Sequence, residues 1–283
     1  IILKSDGASL YSTTDLATLV MRMKENNPDR VIYLADARQS MHFIQVFRCA
    51  RKTGIVPDTT ELVHIGFGTM NGKDGKPFKT RDGGVMRLEY LLKEIDDEML
   101  NKIKENQKEK ENLNIDEAEA EQTAKTVALA AVKYGDLSNQ ASKDYIFDID
   151  RFTSFEGNTG PYILYTIVRI KSILSKYEAN GGDISALKDA IMPAVNAGQK
   201  NLMLSLAKFN ATIESAYEES APHKICAYIY ELANAFNGFY HDTKILSEEN
   251  EELKKSYISL LVLTKEILEA CIDMLGFSAP DRM

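Results

Sequence analysis

The apolar runs VIYLA (residues 31–35) and ELVHIGF (residues 61–67) decide the fold of the first part of this chain. Between them, residues 41–52 place apolar side chains at helical spacing, and residues 12–25 do the same before the first run. Short strands that alternate with helices are typical of a parallel sheet, because a crossover between parallel neighbours is long enough to hold a helix. The sequence therefore predicts an α/β fold for this part.

The rest of the chain is predicted to be all-α, with a domain boundary near residue 155. Residues 93–121 are rich in charged side chains, which predicts a solvated helical excursion or a flexible insertion without a catalytic role. Gly181-Gly182 and Gly276 are expected helix ends. Apolar residues recur at helical spacing in 116–137, 161–178, 183–196, 199–219, 222–240 and 248–275.

Composition excludes several classes of protein. No apolar run approaches the ~18 residues that a membrane span needs. Cys49, Cys226 and Cys271 are far apart, so they predict neither a zinc site nor a disulfide framework, and a reducing cytosol is expected. The net charge of −8 argues against DNA or RNA binding by bulk electrostatics, while a local basic groove stays compatible with it. The start at Ile1, without a methionine, is interpreted as the middle of a longer protein rather than a natural N-terminus that lost a leader.

A loop rich in glycine and lysine follows the second predicted strand, at residues 66–84. It contains the cations Lys73, Lys76, Lys79 and Arg81. Exposed backbone amides and mobile cations can close over a polyphosphate, although the spacing matches neither a P-loop nor a dinucleotide fingerprint. The alternative is an exposed β-hairpin with an Asn-Gly or Asp-Gly turn.

Asp15 is a candidate for binding a cationic group. Tyr11 and Asp15 are four residues apart, so they share a face if both lie in the first turns of one helix. A carboxylate binds a guanidinium through two parallel charge-assisted hydrogen bonds. The alternative is an acid that only stabilises the N-terminus of its helix.

A second candidate site lies on the helix predicted at 161–178. Its apolar face is expected to be buried, and Tyr162, Tyr165 and Arg169 form another stripe, turned by roughly 120°. Two tyrosines and an arginine can stack unpaired bases and hold phosphate. The alternative is that the tyrosines cover a neighbouring domain with their hydroxyls at the rim.

The loop sequence GTMNGKDGKPFKTRDGG (residues 68–84) resembles the second signature loop of arginine–tRNA ligases, which are class I synthetases. In that family the loop stabilises the pyrophosphate leaving group. The resemblance implies catalytic ATP contacts for Lys79 and Arg81 and further ATP contacts for Gly68, Met70 and Thr80. Asp82 stands where class I synthetases usually have a second lysine, a departure that many arginine enzymes share.

Two further segments resemble the amino-acid pocket of this family. They are KSDGASLYSTTDLA (residues 4–17) and DARQSMHF (residues 36–43). The resemblance implies that Tyr11, Asp15 and Gln39 contact the substrate arginine and that His42 lies near the nucleotide. For His42, a structural role as a helix cap stays open.

The helical part resembles the anticodon-binding domain of the same family through EGNTGPYILYTIVRI (residues 156–170). NGFYH (residues 237–241) resembles a loop that the family places near the anticodon, and MLGFSAPDRM (residues 274–283) resembles its natural C-terminus. The resemblance implies that tRNA contacts come from Tyr162, Tyr165, Arg169, Tyr240 and Met283.

The implied architecture is the second half of a Rossmann-like class I catalytic domain followed by an all-α anticodon-binding helical bundle. Residues 1–152 would include the signature loop 66–84 and a helical connector, 115–152, and residues 153–283 would form the bundle. The implied partners are arginine, ATP with Mg²⁺ and tRNA(Arg), in a cytoplasmic, monomeric parent enzyme without DNA or membrane contacts and without a tightly bound cofactor or structural metal.

The sequence contains no His-Ile-Gly-His-type first signature motif, and His64-Ile65-Gly66-Phe67 is a partial look-alike in the wrong place. We therefore expect this chain alone to be inactive. A non-catalytic tRNA-binding or regulatory module, or another nucleotidyl-transfer enzyme, remains an alternative.

Overall fold

Residues 2–76, 87–109, 117–187 and 190–283 are described by the structure, a computed structural model of the protein. The contacts divide the chain into two units. The α/β unit comprises Ile1–Asn71 and Ala141–Tyr145, and the helical unit comprises Gly72–Gln140 and Ile146–Met283. No helix in the described part of the chain is long and apolar enough to cross a lipid bilayer.

The α/β unit confirms the predicted parallel pairing. Its elements are α1 (Tyr11–Glu25), β1 (Arg30–Asp36), α2 (Ser40–Lys52), β2 (Glu61–Phe67) and β3 (Met70–Asn71). Strands β1 and β2 run parallel, with Val31 opposite Leu62, and α2 forms the crossover between them. The carboxyl ends of both strands therefore meet at one edge, where open α/β sheets bind ligands.

The core of the α/β unit lies between the two helices and the strand pair. Leu19 and Ala50 are completely buried, and the apolar stripes of α1 and α2 both face this core. Periodicity was sufficient to predict this, because a helix half-exposed to water must place its apolar residues on one face. The other buried members are Leu16, Val31, Val46 and Val56.

The helical unit contains most of the helices in chain order. They are α3 (Leu88–Glu109), α4 (Glu117–Leu137), α5 (Ile149–Phe152), α6 (Gly160–Ala179), α7 (Ala197–Leu206), α8 (Phe209–Glu218), α9 (Pro222–Asp242) and α10 (Glu251–Met274). The short strand β4 (Tyr145–Ile146) has its first residue in the α/β unit and its second in the helical unit. Thr159 caps α6 through a 3.2 Å hydrogen bond from the Tyr162 amide. The left-handed φ of +81° at Gly276 ends α10, as the sequence predicts.

The charged segment is not simply a solvated excursion. In α3, the apolar residues Leu91, Ile95, Met99 and Ile103 are buried, and this helix packs against α4. The prediction failed there because the density of charge concealed a narrow apolar stripe at helical spacing. Residues 110–116 lie outside the described part of the chain.

Three predictions for the helical unit need correction, two of helices and one of a loop. In 183–196 the structure has a 3-10 turn, Ser185–Leu187, and no α-helix among its described residues. Pro193 lies in the non-helical segment, and the Met192 amide donates to the Ser256 hydroxyl at 2.9 Å instead of to a helical carbonyl. The helix predicted at 199–219 is divided into α7 and α8, and residues 237–241, expected to be a loop, belong to α9.

Candidate functional site

The end of β1 is shaped by Asp36. Its carboxylate accepts a hydrogen bond from the Arg38 amide at 2.8 Å and pairs with the Arg38 guanidinium at 2.6 Å. These hydrogen bonds from Arg38 lower the pKa of Asp36 to about 2. The resulting 3-10 turn, Ala37–Gln39, delivers Gln39 to the N-cap of α2 with its side chain exposed.

Asp15 and His42 meet across the two helices of the α/β unit. The Asp15 Oδ2 atom lies 2.6 Å from His42 Nε2, and both side chains are partly buried, with about 30% of their surface exposed. Gln39 precedes His42 by less than one helical turn. The structure thus brings Asp15 to the first turn of α2 rather than leaving it as an isolated acid in solvent, while the Nε2 atom of His42 faces Asp15 instead of capping α2.

Tyr11 is the first residue of α1 and lies one turn before Asp15. Its side chain is 87% exposed and is therefore available to an incoming ligand. It shares a helical face with Asp15, as the four-residue spacing predicts.

Two buried polar atoms beneath this surface were not identified from the sequence. The Tyr33 hydroxyl and His64 Nε2 have no hydrogen-bond partner within the described residues. Tyr33 and His64 are register partners in β1 and β2, and the Phe43 ring lies 4.9 Å from the Tyr33 ring and 4.6 Å from the His64 ring. Burial raises the pKa of Tyr33. The available signal was a phenol and an imidazole within otherwise apolar strands, since such buried groups need a partner from protein, water or ligand.

The turn between β2 and β3 is held by the segment at 141–145. The Gly68 amide donates to the Ala141 carbonyl at 2.8 Å, and the Thr69 amide donates to Asp144 Oδ1 at 2.6 Å. A Cβ atom on Gly68 would lie 2.5 Å from the Lys143 carbonyl, so this close approach requires glycine. Met70 follows directly in β3.

The cationic loop is described in part. The Gly72 amide donates to the Lys76 carbonyl at 2.8 Å in a tight turn, and Gly75 has a φ of +72°. Lys73 Nζ lies 3.0 Å from Asp148 and 2.9 Å from Asp150, so its charge is already matched. Lys79, Thr80 and Arg81 lie outside the described residues.

A cavity of about 620 Å³ in the helical unit contains most of the second predicted site. Tyr165, Arg169, Tyr240 and Met283 all line it, although they come from α6, α9 and the end of the chain. Tyr162 is absent from the described lining. Its hydroxyl donates to Asn234 Oδ1 at 2.7 Å, so it links α6 to α9.

Arg169 is fixed between two aromatic rings. Its Cζ atom lies 4.8 Å from the centre of the Tyr165 ring and 5.5 Å from that of Tyr240. Its guanidinium donates to Asn237 Oδ1 at 2.6 Å, and Asn237 Nδ2 donates to the Tyr162 hydroxyl at 2.9 Å. Asn237 therefore orients the guanidinium, a role that depends on α9 being helical at this position.

The cations of this cavity differ in their partners. Lys171 lies 3.2 Å from Asp281 and 3.5 Å from Glu269, and Arg282 pairs with Glu119 at 3.2 Å. Arg169 and Lys176 make no ion pair with a carboxylate in the part of the chain that the structure describes. The cavity thus combines two uncompensated cations with aromatic faces, which suits a stacked base next to a phosphate.

A family model described as tRNA synthetases class I (R), catalytic domain, matches residues 1–149. The chain belongs to the class I arginyl-tRNA synthetases. A second model, described as DALR anticodon binding domain, matches residues 163–283, which include the lining of the cavity. The resemblance drawn from the loop and pocket segments is therefore confirmed, together with the predicted fold class, a class I synthetase catalytic domain followed by a helical anticodon-binding domain.

Proteins named arginine–tRNA ligase match this chain along its whole length. An arginine–tRNA ligase of Alkaliphilus oremlandii is 55% identical over 283 residues, which are 100% of this chain and 47% of that protein. One from Francisella tularensis is 44% identical over 285 residues and is matched over 47% of its length. This arginyl-tRNA synthetase chain thus spans about half the length of the curated relatives it matches.

Solved structures of arginyl-tRNA synthetases have the same fold over the whole of this chain. The arginyl-tRNA synthetase of Plasmodium falciparum superposes with a TM-score of 0.82 at 28% identity, over 100% of this chain and 46% of that one. The arginyl-tRNA synthetase of Thermus thermophilus has the same TM-score at 23% identity, covers 100% of this chain and 50% of its own, and shows the fold alone.

Proposed function

We propose that this chain is the part of an arginine–tRNA ligase that selects arginine and holds the anticodon of tRNA(Arg). The observation that carries the proposal is the Asp15 carboxylate, oriented by His42 at 2.6 Å beside the carboxyl end of β1. With one carboxylate oxygen occupied by the imidazole, the other is free to accept from a guanidinium, and the side chains of Tyr11 and Gln39 are exposed.

The reaction of the whole enzyme has two steps. The arginine carboxylate attacks the α-phosphorus of ATP, the bond to the β-phosphate bridging oxygen breaks, and arginyl-adenylate and pyrophosphate form. The terminal ribose hydroxyl of the tRNA then attacks the arginyl carbonyl, and AMP leaves. Catalysis of both steps rests on positioning and charge stabilisation, without a covalent nucleophile of the protein.

The nucleotide enters as its Mg²⁺ complex and is assigned to the turn and loop after β2. We place ATP contacts at His42, Gly68, Met70 and Thr80, and catalytic contacts with the leaving pyrophosphate at Lys79 and Arg81. We further propose a domain boundary at residues 152–153 and a monomeric parent enzyme in the cytoplasm. Because this sequence lacks a first signature motif, we expect no arginine-dependent pyrophosphate exchange from the 283-residue chain alone.

The tRNA half of the proposal rests on the Arg169 cavity. Two tyrosine faces stack bases, and the uncompensated cations Arg169 and Lys176 attract the phosphate backbone. The net charge of −8 disfavours binding by bulk electrostatics, so recognition should depend on this local arrangement.

The test is titration of the chain with tRNA(Arg) and with a tRNA of another specificity, both at the same fixed salt concentration. We expect tighter binding of tRNA(Arg), and loss of that preference in Arg169→Lys, which keeps the charge but not the planar guanidinium between the rings. Equal affinity of the two tRNAs for the unaltered chain would refute anticodon selection.

A further inference from the structure

The last residues of the chain form a tail, residues 276–283, that returns along the helical unit after α10. Phe277 is buried, with 5% of its surface exposed, and the left-handed Gly276 turns the backbone away from the helix axis. Asp281, Arg282 and Met283 at its end line the Arg169 cavity. One wall of the cavity is therefore a segment without regular secondary structure.

Side chains from two other helices hold this tail at three points. Lys133 of α4 donates to the Gly276 carbonyl at 2.5 Å. Lys171 of α6 donates to the Pro280 carbonyl at 3.3 Å and pairs with Asp281 at 3.2 Å. Glu119 of α4 pairs with Arg282 at 3.2 Å. The amides of Gly276 and Phe277 donate to the carbonyls of Asp273 and Ile272 at the end of α10, and beyond them the side-chain contacts and the burial of Phe277 determine the path of the tail.

Lys171 occupies the centre of this arrangement. Its side chain is 22% exposed, and Glu269 of α10 lies 3.5 Å from its ammonium. Asp281 and Glu269 thus match its charge, and Glu269 also lies 3.8 Å from Lys265. Lys176, on the same helix and in the lining of the same cavity, is exposed and has no ion pair within the described residues. Both ammonium groups carry one positive charge, but among the residues that the structure describes only that of Lys176 is left without a carboxylate partner when a polyanion approaches.

We propose that Lys171 is a positioning residue that fixes the tail as the wall of the cavity, whereas Lys176 supplies a cation to the RNA backbone. This inference rests on the proposed anticodon function. A phosphate approaching Lys171 would compete with two carboxylates that already satisfy it, but a phosphate approaching Lys176 meets no such competitor. Lys171 consequently acts by positioning Asp281 and the residues that follow. It affects the choice between RNA sequences rather than the general electrostatic attraction for RNA.

The decisive variant is Asp281→Lys. A role of Asp281 as a surface charge and a role as part of the Lys171 clamp predict opposite changes in RNA affinity. As a surface change it replaces an acid by a base next to the RNA, which should tighten binding. As a break in the Lys171 clamp it should release the tail and weaken binding of the matching RNA. We expect about a three- to tenfold weaker affinity for a tRNA(Arg) anticodon stem-loop, in the range of one ordinary hydrogen bond, because Asp281 is exposed. Tighter binding by Asp281→Lys would overturn the proposal.

A second comparison pairs Lys171→Met with Lys176→Met and a chain ending at Ala279. Lys171→Met should weaken binding of the matching stem-loop but have no further effect on RNA binding in the shortened chain, since its tail partners Pro280 and Asp281 are then gone. Lys176→Met should weaken matching and scrambled stem-loops equally, reduce the slope of log affinity against log salt by about 0.7–0.9, and add fully to the truncation.

Full additivity of Lys171→Met with the truncation, or a salt slope reduced as in Lys176→Met, would assign Lys171 directly to the RNA and refute the clamp. Lys171→Arg retains a cation for Asp281 and should restore selectivity if Lys171→Met loses it. If the unaltered chain does not distinguish the matching stem-loop from the scrambled one, the proposed anticodon function fails, independently of the clamp.

Discussion

Asp15 and His42 are 27 residues apart in the chain, yet the Asp15 carboxylate and the His42 imidazole lie 2.6 Å apart. The contact orients a carboxylate of α1 at the first turn of α2, next to Gln39. A carboxylate with one oxygen fixed in this way recognises a guanidinium with less loss of side-chain entropy than a freely rotating one. The pair therefore links the fold of the α/β unit to the proposed choice of substrate.

We expect Asp15→Asn to raise the KM for arginine by roughly 10- to 100-fold in the full-length ligase, since a hydrogen bond to a charged group is lost. The KM for ATP should change little. Arginine-dependent pyrophosphate exchange measures both constants. Asp58→Asn, which alters an exposed acid of the same unit, is the matched control. An unchanged arginine KM in Asp15→Asn would remove Asp15 from the pocket.

The ion pair at the base of the cationic loop should be visible in an acid titration. Hydrogen bonding and charge from Lys73 lower the pKa of Asp150, while Asp150 and Asp148 raise the pKa of Lys73. Because the folded-state pKa of Asp150 is depressed, its contribution to stability is present above the ordinary carboxyl pKa and is lost as the pH falls through the lowered value.

NMR of the Asp150 carboxyl carbon should give a titration midpoint below the ordinary aspartate value, and Lys73→Met should raise that midpoint. Lys76→Met, a neighbouring lysine without an ion pair in the described part of the chain, should leave it unchanged. The same midpoint with and without Lys73 would show that the pair does not form in solution.

Gly160 should be intolerant of a side chain. A Cβ atom there would lie 2.6 Å from the Ala130 carbonyl carbon, where the start of α6 meets α4. We expect Gly160→Ala to destabilise the protein by about 1–3 kcal/mol through overpacking. Gly238 in α9 is exposed and has open space around its Cα, so Gly238→Ala should instead stabilise by about 0.5–1 kcal/mol. Urea unfolding compares the two, and a stabilising Gly160→Ala would contradict the packing.

The cysteines should differ in reactivity. Burial raises the pKa of Cys226 and of Cys271 to about 12, whereas Cys49 is partly exposed on α2. Because the thiolate is the nucleophile, a maleimide at pH 8 should label Cys49 in the native chain and all three thiols after unfolding in urea. A Cys49→Ser chain should then stay unlabelled until it unfolds. Mass spectrometry of native samples would refute this if Cys226 carried the label.

Local sequence patterns predicted secondary structure correctly where it depends only on residues close together in the chain. The period of apolar residues located α1, α2, α6 and α10, because a helix must place its apolar side chains toward the core. The same reasoning failed at 183–196, where the Ser256 hydroxyl of α10 takes the Met192 amide. At 237–241 periodicity predicted the helix correctly, whereas the resemblance assigned a loop to residues that belong to α9. In the first case a tertiary partner replaced a hydrogen bond that local sequence predicted to be helical.

The sequence by itself determined the parallel α/β arrangement, the helical second part, the family and the identity of the candidate residues, since these depend on periodicity and on motifs continuous in the chain. The tertiary structure decided which of those residues meet. Arg169 is oriented by Asn237, 68 positions away, and Lys171 holds Asp281, 110 positions away. Such contacts depend on how helices pack, and packing follows from shape and burial over the whole core, which no local pattern encodes.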